Sequence, residues 1–368
     1  MEIETQNSIS PPHWKRITIF LCSISGVLIW LLQSKALLSG FWTLPLGMFE
    51  LYFSLFSVVF SLIGFVYLAE VKYLLLLSVN LLLFVEPFSW SKTQTDDRLA
   101  IISWNVSGSN KETPFNEEKL PCVLNYLSNW KDQSNRQVLF LQEVPKSHKE
   151  QYESALSMQC YWAHYLCTQE KCNGLLLCAD KEWRFTLEQQ RRYSSEQNYG
   201  FLQLELEDQK TKQKINALNI HLESLWRTFY NNPQVQKHPS IWKTIHSNPS
   251  PRLLLDILST HSKQQRNEID DLFQVLNQLK DPVLLAGDFN SPPSLWFHRK
   301  LRSQLRDAHK ETGFGFGHTN TRFGLLASRI DYLYASPELT WSANTVVDYK
   351  ASCSDHYPLS SYLDWSPH

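Results

Sequence analysis

Asp288 and Asn290 interrupt an apolar run in the stretch LLAGDFNSPP, which occupies positions 284–293. The run from Val283 to Ala286 has the character of a short buried strand, so both polar side chains would lie at its open end. A buried carboxylate or carboxamide costs free energy unless it holds a partner. The pair is therefore a candidate for holding a ligand at this strand end.

Similar polar residues end or interrupt other predicted strands. Most have an ordinary explanation when taken alone, because Asn and Asp favour turns and acids or imidazoles are common on surfaces. Asp331 is harder to explain in this way, since a carboxylate inside an apolar strand must be paired or hydrogen-bonded. The complete set of candidates is Asn105, Glu143, His221, Asp288, Asn290, Asp331, Asp355 and His356.

Taken together, these residue types match the needs of a metal-dependent hydrolase. Two carboxylates and a carboxamide offer the hard oxygen ligands that Mg²⁺ takes, with positions left for water and phosphate. The other candidates would supply a base or orienting group for water, donors for the developing charge and a proton handler for the leaving oxygen. An imidazole beside a phosphate needs an acceptor that fixes its tautomer, and a buried acid such as Asp331 suits that role.

The elements that must position these residues are strands that alternate with helices. Strands are predicted at 99–104, 138–141, 214–220, 283–286 and 330–334, after His356, and also at 174–178 and 201–206. Helices are predicted at 117–130, 147–158 and 261–279, the last from the helical spacing of its apolar residues. Strands that alternate with helices predict an α/β core in which helices cover the sheets.

Six short motifs follow one another along the second part of the chain. They are WN at 104–105, LQE at 141–143, NIHLES at 219–224, GDFN at 287–290, RIDY at 329–332 and SDHYPL at 354–359. In this order they resemble the endonuclease/exonuclease/phosphatase superfamily, and the resemblance extends from residue 98 to the C-terminus. The resemblance implies a two-sheet α/β sandwich flanked by helices, with the site at one edge where the motif loops converge.

The resemblance also implies which residues bind the metal. Asn105 and Glu143 resemble the Mg²⁺ ligands of the family, and Asp355 would complete or assist the metal site. Mn²⁺ is the alternative cation. His221 resembles a residue that contacts the phosphate or the transition state.

The remaining motif residues have implied roles in the reaction. Asp288 would orient or deprotonate the attacking water, and Asn290 would hold water and a phosphate oxygen. His356 would bind the phosphate and handle charge, with Asp331 orienting its ring. The resemblance implies a phosphoesterase that hydrolyses a phosphodiester (a lipid headgroup, a nucleotide-like molecule or DNA) by direct attack of water. The alternative is a catalytically silent, membrane-tethered binding module with the same fold.

Residues 1–90 differ in composition from the rest of the chain, which favours a membrane region. Apolar stretches at 17–33, 51–69 and 73–85 carry no charged residue, and a spanning helix needs about 20 apolar residues. We therefore expect about three transmembrane helices in 1–90, a polar linker at 91–98 and a catalytic domain at 99–368. A buried helical hairpin in a soluble protein is the alternative.

Charges beside the apolar stretches predict the orientation of this region. Lys15 and Arg16 precede the first stretch, and Lys72 lies between the second and the third, whereas Lys35 lies on the other side. The positive-inside rule then puts the N-terminus in the cytoplasm. Three spans would put the catalytic domain outside the cytoplasm, which is the periplasm if the source is bacterial.

The seven cysteines leave the redox state open. Neighbours such as Cys167 and Cys172 suit a disulfide in an oxidising compartment, and they suit reduced thiols equally well. No CxxC pair and no pair of histidines at zinc-ligand spacing accompanies these cysteines, so we expect no zinc site.

The formal net charge of −1 predicts no basic surface. Tight, sequence-independent binding to long nucleic acid requires such a surface, so nucleic acid is a possible partner that the charge does not favour. The expected partners are a phosphoester substrate and a lipid bilayer, the latter contacted through the N-terminal helices.

Two segments are candidates for substrate contact. Residues 225–258 follow the His221 motif and are rich in aromatics, which predicts either a lid over the site or a surface excursion with its own aromatic cluster. The glycines of GFGFGHTN, at 313–320, would let the backbone approach a ligand that Phe314, Phe316 and His318 line. A mobile hairpin loop is the alternative for this second segment.

Overall fold

A computed structural model describes most of the chain, and its elements follow the predicted order. Three helices come first: α1 (His13–Ser34), α2 (Thr43–Leu68) and α3 (Val71–Val85). The described residues are 13–34, 43–68, 70–85, 98–106, 119–131, 136–167, 172–192, 200–236, 251–320, 328–351 and 353–364. The predicted linker at 91–98 lies outside them except for Arg98, which begins the first strand.

The three N-terminal helices pack against one another through small polar side chains. Asn80 Nδ2 donates to the backbone oxygen of Ser23 at 2.7 Å and to Ser61 Oγ at 3.2 Å. The hydroxyls of Ser25 and Ser57 lie 2.8 Å apart and join α1 to α2. The interior of this helical group is therefore partly polar.

The prediction of about three transmembrane helices is not supported. Within the parts of the chain that the structure describes, no helix combines the length and the apolar character that crossing a membrane requires. The helix α3, for example, has 15 residues, whereas a span needs about 20.

The described strands form two six-stranded sheets. The first contains β1 (Arg98–Asn105), β2 (Arg136–Pro145), β3 (Gln159–Cys167), β4 (Cys172–Ala179), β11 (Trp341–Val347) and β12 (Leu359–Asp364). Their order across the sheet is β11-β12-β1-β2-β4-β3. Of these neighbours, β1 and β2 run parallel, and the other pairs are antiparallel.

The second sheet has a similar mixed arrangement. It contains β5 (Trp183–Arg192), β6 (Gly200–Asp208), β7 (Lys214–His221), β8 (Val283–Asp288), β9 (Arg306–Asp307) and β10 (Asp331–Ala335). Their order is β5-β6-β7-β8-β10-β9. The pair β7 and β8 is parallel, and the remaining pairs are antiparallel.

Helices connect the strands and cover the sheets. They are α4 (Lys119–Lys131), α5 (Lys149–Leu156), α6 (Leu225–Asn231), α7 (Pro233–Gln236), α8 (Pro251–Leu276), α9 (Trp296–Arg302) and α10 (Ala308–Thr312). Successive side chains of β1 point alternately into two different layers of the fold. Leu99 and Ile101 pack in the core that contains residues of both sheets. Ala100 and Ile102 point the other way and pack with residues of α4 and α5. The predicted two-sheet α/β sandwich flanked by helices is confirmed.

A buried hydrogen bond joins the two sheets near the ends of β2 and β7. Gln142 Nε2 donates to Asn219 Oδ1 at 2.8 Å, and Asn219 Nδ2 donates to the backbone oxygens of Leu141 and Leu176 at 3.0 Å each. Buried amides need such partners, so this contact fixes the ends of the two strands relative to each other. The residues that follow, Glu143 and His221, therefore face the same edge of the sandwich.

Four of the seven cysteines form two disulfides. Cys122 on α4 is bonded to Cys353, and Cys160 on β3 is bonded to Cys178, which lies opposite it on β4. Neither is a pair that the sequence suggested. The side chains of Cys167 and Cys172 lie outside the described residues, so the disulfide considered there stays a prediction.

Several elements differ from the predicted ones. The strands β3, β5, β9 and β11 were not predicted, and α8 begins at Pro251 rather than at 261. Residues 225–236 form α6 and α7, in the segment for which the sequence predicted either a lid or a surface excursion. Phe229 of α6 packs with Val235 and Ile257 in a small cluster of its own. This cluster has one aromatic residue, so it does not decide between the lid and the excursion with an aromatic cluster. Trp242 lies outside the described residues.

Candidate active site

Strand register brings most of the candidate residues to one edge of the sandwich. Asn105 and Gln142 are paired at the ends of the parallel strands β1 and β2. His221 and Asp288 are paired at the ends of β7 and β8, and Asp331 begins β10 opposite Asp288. The carboxyl ends of parallel strands share an edge, so this placement follows from the topology.

Glu143 is turned toward this edge by an irregularity in β2. The register between β2 and β4 shifts between Leu141 and Val144, and Glu143 has a φ of 58°. A bulge of this kind re-aims a side chain. Asn105 Nδ2 lies 3.3 Å from Glu143 Oε1 and 3.2 Å from Asp288 Oδ2, so the amide contacts both carboxylates.

The GDFN motif forms a tight turn that fixes Asp288. Gly287 has a φ of 144°, and a Cβ at this position would lie 2.0 Å from the backbone oxygen of Ile220. Only glycine fits there. Asn290, with a φ of 47°, donates its backbone N–H to Asp288 Oδ1 at 2.8 Å and its side-chain amide to the backbone oxygen of Leu222 at 2.9 Å. The turn thus orients one carboxylate oxygen and leaves Oδ2 facing the site.

Two imidazoles flank Asp288 Oδ2. Nε2 of His221 lies 3.5 Å from this oxygen and 3.8 Å from Glu143 Oε1. Nε2 of His356 lies 3.7 Å from the same Asp288 oxygen. Nδ1 of His356 lies 2.9 Å from Asp331 Oδ2, which orients the ring as predicted for this pair. These contacts converge on a single oxygen of Asp288.

Asp355 lies next to this cluster and is less buried. Its Oδ1 lies 3.5 Å from Ser354 Oγ. Ser354 Oγ also donates to the backbone oxygen of Asn105 at 2.8 Å and accepts the backbone N–H of His356 at 3.2 Å. The negative charge of Asp355 acts on both Glu143 and His356. The structure therefore brings all eight predicted site residues into one region, although it does not test their roles.

Burial changes the protonation of the acids. Burial raises the pKa of Glu143. Burial and then the charge of Asp331 raise the pKa of Asp288 to about 7. A carboxylate with such a pKa can accept a proton near neutral pH, which suits a general base.

The two imidazoles differ in charge. Burial, with a contribution from the positive charge of Arg227, lowers the pKa of His221 well below its usual range, so this ring is neutral. Burial alone would lower the pKa of His356, but the charges of Asp331 and Asp288 outweigh it and raise that pKa to about 10. His356 is therefore the positively charged imidazole beside Asp288.

The donor atoms of the site suit a divalent cation. One oxygen each from Asp288 and Asp331 and one nitrogen of His356 lie within 4.8 Å of one another. The predicted ligands Asn105 and Glu143 meet at the other side of Asp288. Glu143 offers carboxylate oxygens on this side, and a flip of the Asn105 amide would present its Oδ1 in place of Nδ2. Such hard oxygen ligands are the ones that Mg²⁺ and Mn²⁺ prefer, whereas imidazole suits softer metals. Buried carboxylates with raised pKa values also gain most from a neighbouring cation.

Two residues near the site were not predicted from the sequence. Asn320 Nδ2 lies 3.0 Å from His356 Nε2. Arg227, on α6, acts electrostatically on Glu143 and His221 and lies 3.7 Å from Glu223 Oε2. Asn320 ends the GFGFGHTN segment, which the sequence had marked as a candidate for ligand contact. Arg227 gave no comparable signal, because the prediction for its segment rested on the aromatic residues around it.

Comparison with known proteins supports the motif assignment. A model described as "Endonuclease/Exonuclease/phosphatase family" matches residues 102–356 of the chain. This range begins in β1 and ends at His356, so it contains all eight candidate residues. A comparison with curated proteins gives no match.

Solved structures share the fold at low sequence identity. An endonuclease/exonuclease/phosphatase from Bacteroides vulgatus has a TM-score of 0.54 at 12% identity, covering 74% of this chain and 100% of that chain. A mannosyl-6-phosphatase from Bacteroides thetaiotaomicron has a TM-score of 0.51 at 12% identity, covering 73% and 100%. The catalytic domain of human Nocturnin, with a bound sulfate anion, has a TM-score of 0.50 at 16% identity, covering 73% and 94%. At these identities the likeness shows the fold alone.

Proposed function

Because this chain belongs to the endonuclease/exonuclease/phosphatase family, whose members are metal-dependent phosphoesterases and nucleases, we propose that it hydrolyses a phosphodiester by direct attack of water. The observation that carries the proposal is the convergence on Asp288 Oδ2. Two imidazole nitrogens, 3.5 and 3.7 Å away, and the Asn105 amide, 3.2 Å away, surround this oxygen. A base, a cationic donor and polar ligands are thus present within one small volume.

Asp288 is the base in this proposal. Its raised pKa allows it to take a proton from the attacking water near neutral pH. The backbone N–H of Asn290 holds Oδ1 at 2.8 Å, so the carboxylate cannot rotate away from the water. The Asn290 amide then holds the water and a phosphate oxygen.

The histidines stabilise the phosphate and the departing oxygen. His221 is neutral and donates one hydrogen bond to a phosphate oxygen in the transition state. His356 is cationic, and its ring is fixed by Asp331 at 2.9 Å. The proton on its Nε2 passes to the leaving oxygen as the bond between phosphorus and that oxygen breaks.

A divalent cation, Mg²⁺ with Mn²⁺ as the alternative, would bind at Asn105 and Glu143 with assistance from Asp355. When bound, it would neutralise charge on the phosphate oxygens and polarise phosphorus toward attack. The hard oxygen donors on this side of Asp288 support this choice of cation.

The charge balance of the site favours a diester over a monoester. Four carboxylates (Glu143, Asp288, Asp331 and Asp355) lie in the site region, whereas the positive charges come from His356 and Arg227. A phosphodiester carries a single negative charge, while a phosphate monoester carries between about 1.5 and 2 at pH 7. The less charged substrate meets less repulsion from these side chains, and the two positive charges of the bound cation would reduce this difference without removing it.

Hydrolysis of bis-4-nitrophenyl phosphate by the full chain tests this proposal. We expect nitrophenol release that a chelator abolishes, that Mg²⁺ or Mn²⁺ restores, and that Asp288→Asn lowers by about a thousandfold or more. Asp270→Asn, at an exposed position of α8, is the matched control and should keep full activity. A folded wild-type chain that hydrolyses only 4-nitrophenyl phosphate would show a monoesterase, and one that hydrolyses neither ester would show a silent binding module.

The lipid bilayer is the proposed partner of the N-terminal helices. Their polarity is the reverse of that of a water-soluble bundle, because Ser54, Ser57, Ser61 and Asn80 are buried between helices. The large apolar side chains that point outward include Leu55, Phe56, Val59, Leu62, Ile63 and Val66. Small polar residues between helices and apolar residues outside are typical of helices packed in lipid. The full chain should float with phosphatidylcholine vesicles on a density gradient, and a monodisperse chain that stays at the bottom would refute this partner.

We also propose that the catalytic domain lies in an oxidising compartment outside the cytoplasm. The disulfides Cys122–Cys353 and Cys160–Cys178 support it, since thiols in the cytosol of most organisms are kept reduced. Alkylation of the denatured, unreduced protein from its native source should modify at most three of the seven cysteines. Modification of all seven would refute the proposed location.

A further inference from the structure

The turn that carries Asp288 and Asn290 is held from the interior by one imidazole. Phe289 lies between these two residues and Ser291 follows them, and both Phe289 and Ser291 are fully buried. Nε2 of His298, on α9, lies 2.9 Å from Ser291 Oγ, and the ring centroids of His298 and Phe289 lie 5.3 Å apart. The two buried residues of the turn therefore contact the same ring, while Asp288 Oδ2 reaches the site.

The ring of His298 is itself fixed by two tyrosines of β10. Its Nδ1 lies 2.9 Å from the hydroxyl oxygen of Tyr334. The ring stacks on Tyr332, with centroids 4.1 Å apart and planes at 27°. The Tyr332 hydroxyl also donates to the backbone oxygen of Ser291 at 2.9 Å. Because β10 lies between β8 and β9 in the second sheet, this network joins the turn to the interior of that sheet.

A neutral imidazole can bond to both hydroxyls at once. Burial, with a contribution from the positive charges of Arg302 and Arg329, lowers the pKa of His298 well below its usual range. The neutral ring has one N–H donor and one acceptor nitrogen. The N–H donates to one hydroxyl oxygen, and the other hydroxyl donates to the acceptor nitrogen. Both hydrogen bonds therefore form in either tautomer of His298.

The backbone of Asn290 links Ser291 to Asp288. Asn290 has a φ of 47°, in the left-handed region that residues with a side chain seldom adopt. In this conformation its backbone N–H donates to Asp288 Oδ1 at 2.8 Å. An uncommon backbone conformation persists only where the surrounding structure holds it. The bonds of Ser291 to His298 and Tyr332 hold the residue that directly follows Asn290.

We propose that His298 is a positioning residue that acts through Ser291 on the orientation of Asp288, an inference that rests on the proposed phosphodiester hydrolysis. Without the bond to His298, the turn can relax, and the carboxylate no longer holds the attacking water in line with phosphorus. A misplacement of about 1 Å can cost about 100-fold in rate. His298 itself contacts neither water nor phosphate in this role, and no proton of its ring is transferred.

The experiment measures kcat and KM for bis-4-nitrophenyl phosphate with the full chain and metal present. His298→Phe keeps a ring but removes both nitrogens. Ser291→Ala removes the hydroxyl from the same bond and adds no volume, so it decides the question if His298→Phe does not fold. At a temperature at which tryptophan fluorescence shows a fully folded chain, we expect kcat to fall at least about tenfold and KM to stay within about twofold.

A second background distinguishes positioning from a general loss of structure. In the Asp288→Asn protein the carboxylate is already absent, so its orientation no longer matters. Adding Ser291→Ala there should lower the remaining kcat by less than about twofold. A change that merely loosens the fold would instead lower kcat by the same factor with Asp288 and with Asn at position 288.

The matched control is the same substitution at another buried histidine. Nδ1 of His261, on α8, lies 3.1 Å from Thr228 Oγ1, so His261→Phe also removes a buried bond between an imidazole and a hydroxyl. Its partner belongs to α6 and not to the turn. We expect His261→Phe to be less stable than the wild type but to keep kcat within about twofold.

Three outcomes would overturn the role of His298 while wild-type turnover leaves the proposed hydrolysis intact. One is a wild-type kcat in folded Ser291→Ala, and another is an equal loss of kcat in the His261→Phe control. The third is the same loss factor in the Asp288→Asn background. Absence of turnover in the wild type would instead refute the proposed function itself.

Discussion

The disulfide between Cys122 and Cys353 ties α4 to the segment that carries the site residues Asp355 and His356. Cys353 directly precedes Ser354, whose hydroxyl bonds to the backbone of Asn105 and of His356. Replacing both cysteines by Ala removes the tether without adding a charge. We expect this double variant to be less stable and less active than the wild type.

The size of the effect follows from the length of chain that each disulfide closes. Cys122 and Cys353 are 231 positions apart, whereas Cys160 and Cys178 are 18 apart. The loop-closure relation gives about 5 kcal/mol for the longer loop and about 3 kcal/mol for the shorter one. The first disulfide should therefore contribute more to the free energy of unfolding by about 2 kcal/mol.

Urea unfolding of the full chain, followed by tryptophan fluorescence, measures both contributions. The Cys160→Ala, Cys178→Ala double variant is the matched control, because it removes a disulfide between β3 and β4, away from the SDHYPL motif at 354–359. The control should lose stability but keep kcat, whereas the Cys122→Ala, Cys353→Ala variant should lose both. Equal losses in stability, or an unchanged kcat after removal of the Cys122–Cys353 bond, would refute this reasoning.

Three further predictions concern single residues. Gly287→Ala should lower the free energy of unfolding by about 2 to 4 kcal/mol, because the new Cβ would meet the backbone oxygen of Ile220 at 2.0 Å; a loss below about 0.5 kcal/mol in a urea titration would contradict it. Burial lowers the pKa of His261 to about 4, so its contribution to stability is present above the unfolded value of about 6.5 and is lost as pH falls toward 4. Because of this residue the wild type should lose about 3 kcal/mol of unfolding free energy as the pH falls from about 6.5 to about 4, and His261→Gln should not show this loss. Identical pH profiles of the unfolding free energy in the two proteins would count against this prediction. Glu143→Gln should raise the Mg²⁺ concentration for half-maximal hydrolysis at least about tenfold, and an unchanged Mg²⁺ requirement would exclude Glu143 as a ligand.

The location of the site could be predicted because it depends on strand ends. Asn105 and His221 each end a strand that has a parallel neighbour, and the carboxyl ends of such strands share an edge. Asp331 could be recognised from its position inside an apolar strand, since a buried acid needs a partner. The structure supplies that partner in His356.

Contacts between distant parts of the chain could not be predicted in the same way. The Cys122–Cys353 pair spans 231 positions, and the sequence drew attention to cysteines that are near neighbours. The position of Asn320 depends on how Thr319 bridges Asp331 and Tyr357. Neither arrangement leaves a periodic pattern in the sequence.

Packing also explains the differences in the helices. The first turns of α8 carry Leu253 and Ile257, which pack with Phe229 in a cluster separate from the main core. Ile269 and Leu272 of the same helix pack in the main core. The prediction rested on the apolar spacing of this second part, so the predicted helix began too late. In residues 1–90 composition predicted helices correctly, but the prediction that they span a membrane is not supported by the described helices.

The source of the oxygen atom that phosphorus gains is a direct test of attack by water. The full chain, in excess over bis-4-nitrophenyl phosphate and with metal present, is allowed one turnover in water enriched in ¹⁸O. Mass spectrometry of the 4-nitrophenyl phosphate product should show one ¹⁸O atom, because the water positioned at Asp288 bonds directly to phosphorus. A first-turnover product without ¹⁸O would contradict the account, since its new oxygen would then come from a side chain of the protein.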